Sequence, residues 1–197
     1  FVYLEVVAGG SGASRDADGL SGVQVHMTNT SNLPVEALEM EFPLVVVKKY
    51  ALRRDSGGAG RNRGGLGIVR EFEIMYDGVS YTGLGDRQKI PPWGLEGGLA
   101  GAGGAYYLIK PDGSRKRLPS KCTDIPLRKG DVISVRTPGS GGYGDPETRE
   151  AERVLTDVIE EKVSIEKAAE LYGICIVKED GTYRIDKAKT SLLREKR

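Results

Sequence analysis

The residues best suited to chemistry sit in a few short stretches rich in glycine, arginine and asparagine. "RRDSGGAGRNRGG" (53–65) sets Arg53, Arg54, Arg61 and Arg63 around Asp55, Ser56 and clustered glycines. Glycines expose backbone N–H groups, and an arginine fork binds carboxylate or phosphate through two parallel bonds. The same residues would equally make a tight turn held by an Asp–Arg pair. In "NTSNLPVEALE" (29–39), Glu36 and Glu39 lie about one helical turn apart. Paired carboxylates can hold a metal or divide acid and base roles, although at this spacing they ordinarily form a solvated face. His26 is the only histidine, so a Ser-His-Asp arrangement has a single candidate base. A lone strand histidine is more often a hydrogen-bonded core residue.

Two further stretches carry glycines beside special residues. "RTPGSGGYGDP" (136–146) places four glycines between 139 and 144. Gly141, Gly142 and Gly144 can turn the chain about Tyr143 so that amides converge near the positive end of a helix starting at Pro146, which suits an anion. Asp145 already offers a carboxylate there, so the loop reads locally as a tight strand-to-helix junction. "DRQKIPPWGLEGG" (86–98) joins a rigid Pro-Pro to the only tryptophan, Trp93, and reads as core, with a pocket wall as the alternative. The familiar nucleotide loops are missing. No Lys-Ser/Thr follows a glycine cluster at P-loop spacing, and "GGSGAS" does not satisfy the dinucleotide fingerprint.

The elements that must position these loops are mostly strands. Residues 1–8, 23–27, 44–53 and 132–137 are short and rich in β-branched residues. Residues 68–76 and 79–83 predict a hairpin about Asp77-Gly78, and "AYYLIK" (105–110) meets a turn at Pro111–Gly113. Pro34 opens a short helix with Val35, Leu38 and Met40 as its apolar side, stopped by Pro43. From Asp145 the pattern becomes helical, with Val154, Leu155, Val158 and Ile159 as an apolar stripe. Ser164 caps a second helix that Gly173 ends, and a small hairpin and a charged final helix follow. The expected fold is α+β: a β-rich, glycine-looped body over 1–144, then an α-helical region with a small hairpin over 145–197.

Composition narrows the partners. The 197 residues carry 29 Lys plus Arg against 28 Asp plus Glu, a balance that argues against nucleic acid or an anionic membrane. Cys122 and Cys175 lie far apart, show no metal-ligand spacing and read as reduced thiols. No apolar run approaches the roughly 18 residues of a membrane span, and the chain reads as soluble and cytoplasmic. Glycine, at 28 residues, is about twice the ordinary usage of roughly 7%. The opening "FVYLEVV" lies within a β-type apolar run, which suggests a piece of a longer protein.

Taken in order, "GGSGAS", "HMTNTSNLPVEALE", "YALRRDSGGAGRNRGGLG", "DRQKIPPWGLEGG", "RLPSK" and "RTPGSGGYGDP" resemble the hydantoinase B/oxoprolinase family, the B-type subunits of N-methylhydantoinases and 5-oxoprolinases. The tail "EEKVSIEKAAELYGI" is similar as well. The resemblance implies the C-terminal part of a B-type subunit, inactive alone, that opens hydantoin or 5-oxoproline rings. It further implies an A-type partner that binds ATP and activates the amide oxygen, and the remaining N-terminal part of the B-type chain. Related enzymes carboxylate ketones instead, and a non-catalytic interaction protein on the same scaffold is the other alternative. A divalent metal is compatible with the family, but its His/Asp ligands belong to a region outside this segment. Within the resemblance, Asn29, Asn32 and Glu36 are expected to hydrogen-bond an amide or a water, and Arg54, Asp55, Ser56 and Arg63 to orient an acidic substrate. Gly141, Gly142, Tyr143 and Asp145 are expected to form a loop or interface.

Overall fold

A computed structural model describes residues 2–24 and 34–195. The expected α+β arrangement is present. Five antiparallel strands form the main sheet in the order β1-β2-β7-β4-β5. They are β1 Val45–Leu52, β2 Ile68–Ile74, β4 Ala105–Ile109, β5 Arg115–Leu118 and β7 Val132–Arg136. A separate two-stranded ribbon pairs β3 Val79–Leu84 with β6 Lys121–Leu127.

Period-two alternation explains why the ribbon and sheet meet. Ile74, Tyr106, Leu108, Leu118, Ile133 and Val135 all fall on one face of the sheet. They pack against Cys122 and Leu127 of the ribbon, with Val79, Tyr81 and Ile125 around them. Tyr81 meets Tyr106 edge-on at 6.0 Å between ring centroids. On the opposite face Glu71 accepts a 2.8 Å hydrogen bond from Ser134 Oγ.

Several expectations need correction. The hairpin across Asp77-Gly78 does not form, because β1 and β7 occupy both edges of β2 and β3 pairs with β6 instead. The strand β6 was hidden by Pro126, which an edge position tolerates. Among the described residues, residues 2–8 join no ladder, and a bridge pairs Gly9 with Val23. Most of the strand expected at 23–27 lies outside the described residues. In the short helix α1, Val35–Glu41, Leu38 is buried while Met40 is turned outward. Trp93, expected in the core, is 62% exposed.

The chain after Arg136 winds through the glycine loop and enters the tail. Asp145 caps a single 3-10 turn, Pro146–Thr148, by accepting from the Glu147 amide at 2.9 Å. The turn is not continuous with the helix expected there; α2 starts afresh at Ala151 and runs to Ile159. Val154 and Val158 of its stripe are buried, whereas Ile159 is exposed. Helix α3, Ile165–Tyr172, is capped by Ser164 and closed by left-handed Gly173, as its sequence requires. The hairpin β8 Ile176–Glu179 with β9 Thr182–Ile185 and the helix α4 Lys187–Glu195 complete it. Val154, Val158, Val163, Ala168, Tyr172, Ile174 and Ile176 form the tail's own core, and Ala59 of the body is inserted into it.

Candidate functional site

The glycine loops that are far apart in sequence come together as one framework. Gly58 N donates to Ser140 O at 2.7 Å, Ser140 N to Gly65 O at 3.0 Å, and Gly65 N to Ser11 O at 2.9 Å. On another side Gly142 N donates to Leu99 O, Leu99 N to Ala59 O, and Leu95 N to Gly142 O. Segments from around residues 11, 59, 65, 98 and 140 are thus laced backbone to backbone outside the main sheet.

Such close lacing demands the absence of side chains. A Cβ on Gly64 would land on the Ser140 carbonyl, and one on Gly142 on the Ala59 carbonyl. Neither obstacle is a flexible side chain that could move aside. Glycine abundance therefore reflects backbone packing, and the loops are ordered by it. Gly141 is buried alongside Gly142, and its carbonyl accepts from the Ala13 N–H at 3.0 Å. Tyr143 exchanges two backbone hydrogen bonds with Asn62, at 2.9 and 3.0 Å. Asp145 caps its turn from an exposed position.

The motif side chains serve this framework. Ser56, fully buried, donates its hydroxyl to Arg53 O at 2.5 Å and accepts from Gly67 N at 3.0 Å. Arg53 reaches across to Gly103 O at 2.7 Å and Thr137 O at 3.2 Å; burial, and then the charge of Arg136, lower its pKa. Asp55 sits at φ 61, a left-handed conformation that aspartate tolerates, and its carboxylate accepts from Ser164 N at 2.7 Å. Its own amide donates to Lys162 O, so Asp55 fixes the start of α3 to the body. Arg54 is half exposed and pairs with Glu161 at 3.2 Å.

Arg63 leads into a buried ionic clasp. Its Nε lies 3.2 Å from Asp157 Oδ1 and its Nη1 donates to Gly64 O at 2.7 Å. Asp157 also receives Arg149 Nη2 at 2.7 Å, and Arg149 makes a bidentate pair with Asp18 at 2.7 and 2.9 Å. Arg153 completes it with a 3.0 Å contact to Asp18 and a 3.1 Å bond to Asn62 Oδ1. Three parts of the chain, the loop at 18, the glycine framework and α2, are joined by these charges. Burial alone would raise the Asp18 pKa, but the bonds and charge of Arg149, aided by the Arg63 amide and Arg153, bring it down to about 2. Burial likewise opposes charge on Arg149, yet Asp18 and Asp157 more than offset it and raise its pKa.

Sequence reading singled out Arg63 but missed Asp18, Arg149 and Asp157. A signal existed for one of them: Asp157 falls on the apolar side of α2 between Val154 and Val158, where a solvated carboxylate has no place. Asp18 carries no such mark.

Of the other candidates, Glu36 lies on α1 with no burial in the core, and Asn29 and Asn32, like His26, lie outside the described residues. Glu39 is not a solvated partner for Glu36, since its carboxylate accepts the Val47 amide at 2.8 Å. Cys122 is buried and Cys175 partly so, and the two are not bonded to each other. Among the described residues no His/Cys/Asp/Glu group is arranged to hold a metal ion, and no helix is long and apolar enough to cross a membrane.

A β-rich body followed by a helical tail is the arrangement of this chain, and a solved structure shares its fold. The chain belongs to the hydantoinase B/oxoprolinase family, whose signature matches residues 1–146. It is 42% identical over 194 residues, 98% of its length, to an uncharacterized protein of Methanocaldococcus jannaschii, covering 34% of that protein. To the putative B-type subunit of a D-/L-hydantoinase from a Pseudomonas species it is 34% identical over 196 residues, covering 99% of this chain and 32% of that relative. The crystal structure of ATP-dependent caprolactamase from Pseudomonas jessenii superposes with a TM-score of 0.77 at 30% identity, over 96% of this chain and 33% of that one. The chain thus spans about a third of each of these relatives.

Proposed function

We propose that the chain is the C-terminal part of a B-type subunit that opens cyclic amides, hydantoins or 5-oxoproline, with an ATP-dependent A-type partner. The supporting observation is that likeness to a putative hydantoinase of the B type extends over 99% of the chain, through the clasped tail as well as the glycine framework. In this reading ATP is bound by the partner, which phosphorylates the amide oxygen; water adds to the activated carbon, the C–N bond breaks as the ring nitrogen leaves with a proton, and a second water frees phosphate from the resulting acyl phosphate. Any divalent metal would be held by ligands elsewhere in the complete polypeptide.

Within this segment the roles divide. Asp55, Ser56 and Arg63 act by holding loops in place, because their polar atoms are engaged inside the chain. Arg54, half exposed, is the member of that group able to meet an acidic substrate. Asn29, Asn32 and Glu36 are proposed to hydrogen-bond the amide or the attacking water. Gly141, Gly142, Tyr143 and Asp145 form the wall against which the remaining polypeptide and the partner assemble.

The test is co-expression of the complete B-type chain with its A-type partner, following ATP-dependent ring opening of hydantoin and 5-oxoproline. Turnover that requires both chains and ATP is expected, with strong loss in Asn29→Ala and Arg54→Ala. Bicarbonate-dependent consumption of a ketone, with no amide opened, would replace this reading by the carboxylase alternative. Near-normal rates in the double variant would remove the residue assignment.

A further inference from the structure

A polar hollow of about 330 Å³ opens beside the clasp, lined by Arg15, Asp16, Arg61, Asn62, Thr148, Glu150 and Arg153. Three arginines border it, and the guanidinium of one, Arg153, is anchored to the buried Asn62 amide. Asn62, 3% exposed, donates from Nδ2 to Ser14 O and Arg15 O, each at 2.9 Å, which fixes the backbone that carries Arg15. Its Oδ1 accepts from Arg153 at 3.1 Å, and Asp18 holds the other fork nitrogen of Arg153 at 3.0 Å. Arg61, the residue before Asn62, donates from Nη2 to Arg15 O at 3.0 Å and packs against Gly144.

The guanidinium groups of Arg61 and Arg153 are therefore held by the framework before any ligand arrives, which lowers the ordering cost on binding, and the Arg15 backbone is fixed beside them. Neither Arg15 nor Arg61 makes an ion pair among the described residues, and both line the hollow. The lining carries three arginines against two carboxylates, Asp16 and Glu150, an excess of one positive charge. Planar arginine donors match oxygens of carboxylate or phosphate.

We propose that this hollow binds a small oxyanion, a phosphate group or a carboxylate. The inference rests on the geometry of the hollow and stands apart from the cyclic-amide reading. The bound group would accept from Arg15 and Arg61, with Arg153 and Thr148 at its back.

The experiment titrates inorganic phosphate, and separately malonate, into the complete natural polypeptide by calorimetry at low ionic strength. Saturable binding with a dissociation constant on the order of 1 mM is expected for at least one of the two, and the preferred ion identifies the source. In Arg15→Gln/Arg61→Gln, with unchanged thermal unfolding, affinity should fall roughly tenfold or more. If that double variant unfolds early, Arg15→Glu alone serves, since that side chain pairs with no carboxylate among the described residues, and it should show the same loss. Arg117→Gln, on the exposed edge strand β5, should leave the titration unchanged. Absence of saturable binding by both ions, or equal affinity in the hollow variants and the parent, overturns the proposal.

Discussion

Replacing Asp157 by Asn tests the buried clasp where it is most exposed to failure. The carboxylate serves two guanidinium groups at once, Arg63 at 3.2 Å and Arg149 at 2.7 Å. Side-chain exposures are 3% for Arg63, 1% for Arg149 and 5% for Asp157. Arg149 keeps Asp18 after the change, but Arg63 loses its carboxylate charge and retains the Gly64 carbonyl and at most a neutral amide oxygen. Removing one partner of a buried ion pair costs about 3–5 kcal/mol, because the other charge stays buried without compensation. The partial rescue of Arg149 places the expectation at the lower end, about 3 kcal/mol. With a urea dependence of about 2 kcal/mol per molar, the midpoint should drop by roughly 1.5 M. Arg54→Ala, which breaks only the exposed pair with Glu161, should change stability by less than about 0.5 kcal/mol. A shift for Asp157→Asn no larger than that of Arg54→Ala would refute the reasoning that the clasp holds the tail to the body.

Other outcomes follow from the same structure. Gly64→Ala should lower stability by several kcal/mol or prevent folding, because its Cβ meets the Ser140 backbone, while Gly12→Ala, with open space around it, should be nearly neutral in thermal unfolding. Asp18 is held at a pKa of about 2, below its ordinary value of 3.8, so its contribution is fully present above pH 4 and is lost as pH falls from about 4 to 2. That step is worth about 2 kcal/mol before solvent screening and nearer 1 after it; acid unfolding of Asp18→Asn should show a correspondingly smaller pH dependence. Asp55→Ala should loosen the start of α3, seen as faster proteolysis near residues 162–164, because the Ser164 amide loses its acceptor.

Local chemistry made much of the fold legible. Ser164 and Gly173 bracket α3 as cap and stop, strands β1 and β7 follow their β-branched runs, and β4 follows its tyrosine pair. Reading failed where the partner was distant. The Asp77-Gly78 turn has hairpin chemistry, but which strand β3 joins is decided by free sheet edges, which sequence spacing does not reveal. Glycine clusters pointed to ordered loops, yet nothing local told that residues near 11, 59, 65, 98 and 140 would lie against one another. The clasp shows the same division: Arg63 stood in a visible motif and Asp157 interrupted an apolar stripe, whereas Asp18 is defined only by its approach to Arg149 across 131 positions. Trp93 misled because large aromatic residues are usually buried, while here the Pro-Pro segment carries it along the outside.

The central claim is that the glycine segments form a rigid framework through backbone contact, with the motif arginines, serine and aspartates fastening it. Amide hydrogen exchange of the complete polypeptide tests this most directly, read at Gly58, Gly65, Leu99, Ser140 and Gly142, whose N–H groups all donate across segments. The account predicts protection comparable to that of the sheet strands β2 and β7, although these residues belong to no helix or strand. Exchange at the rate of open loops, with β2 and β7 still protected, would contradict it.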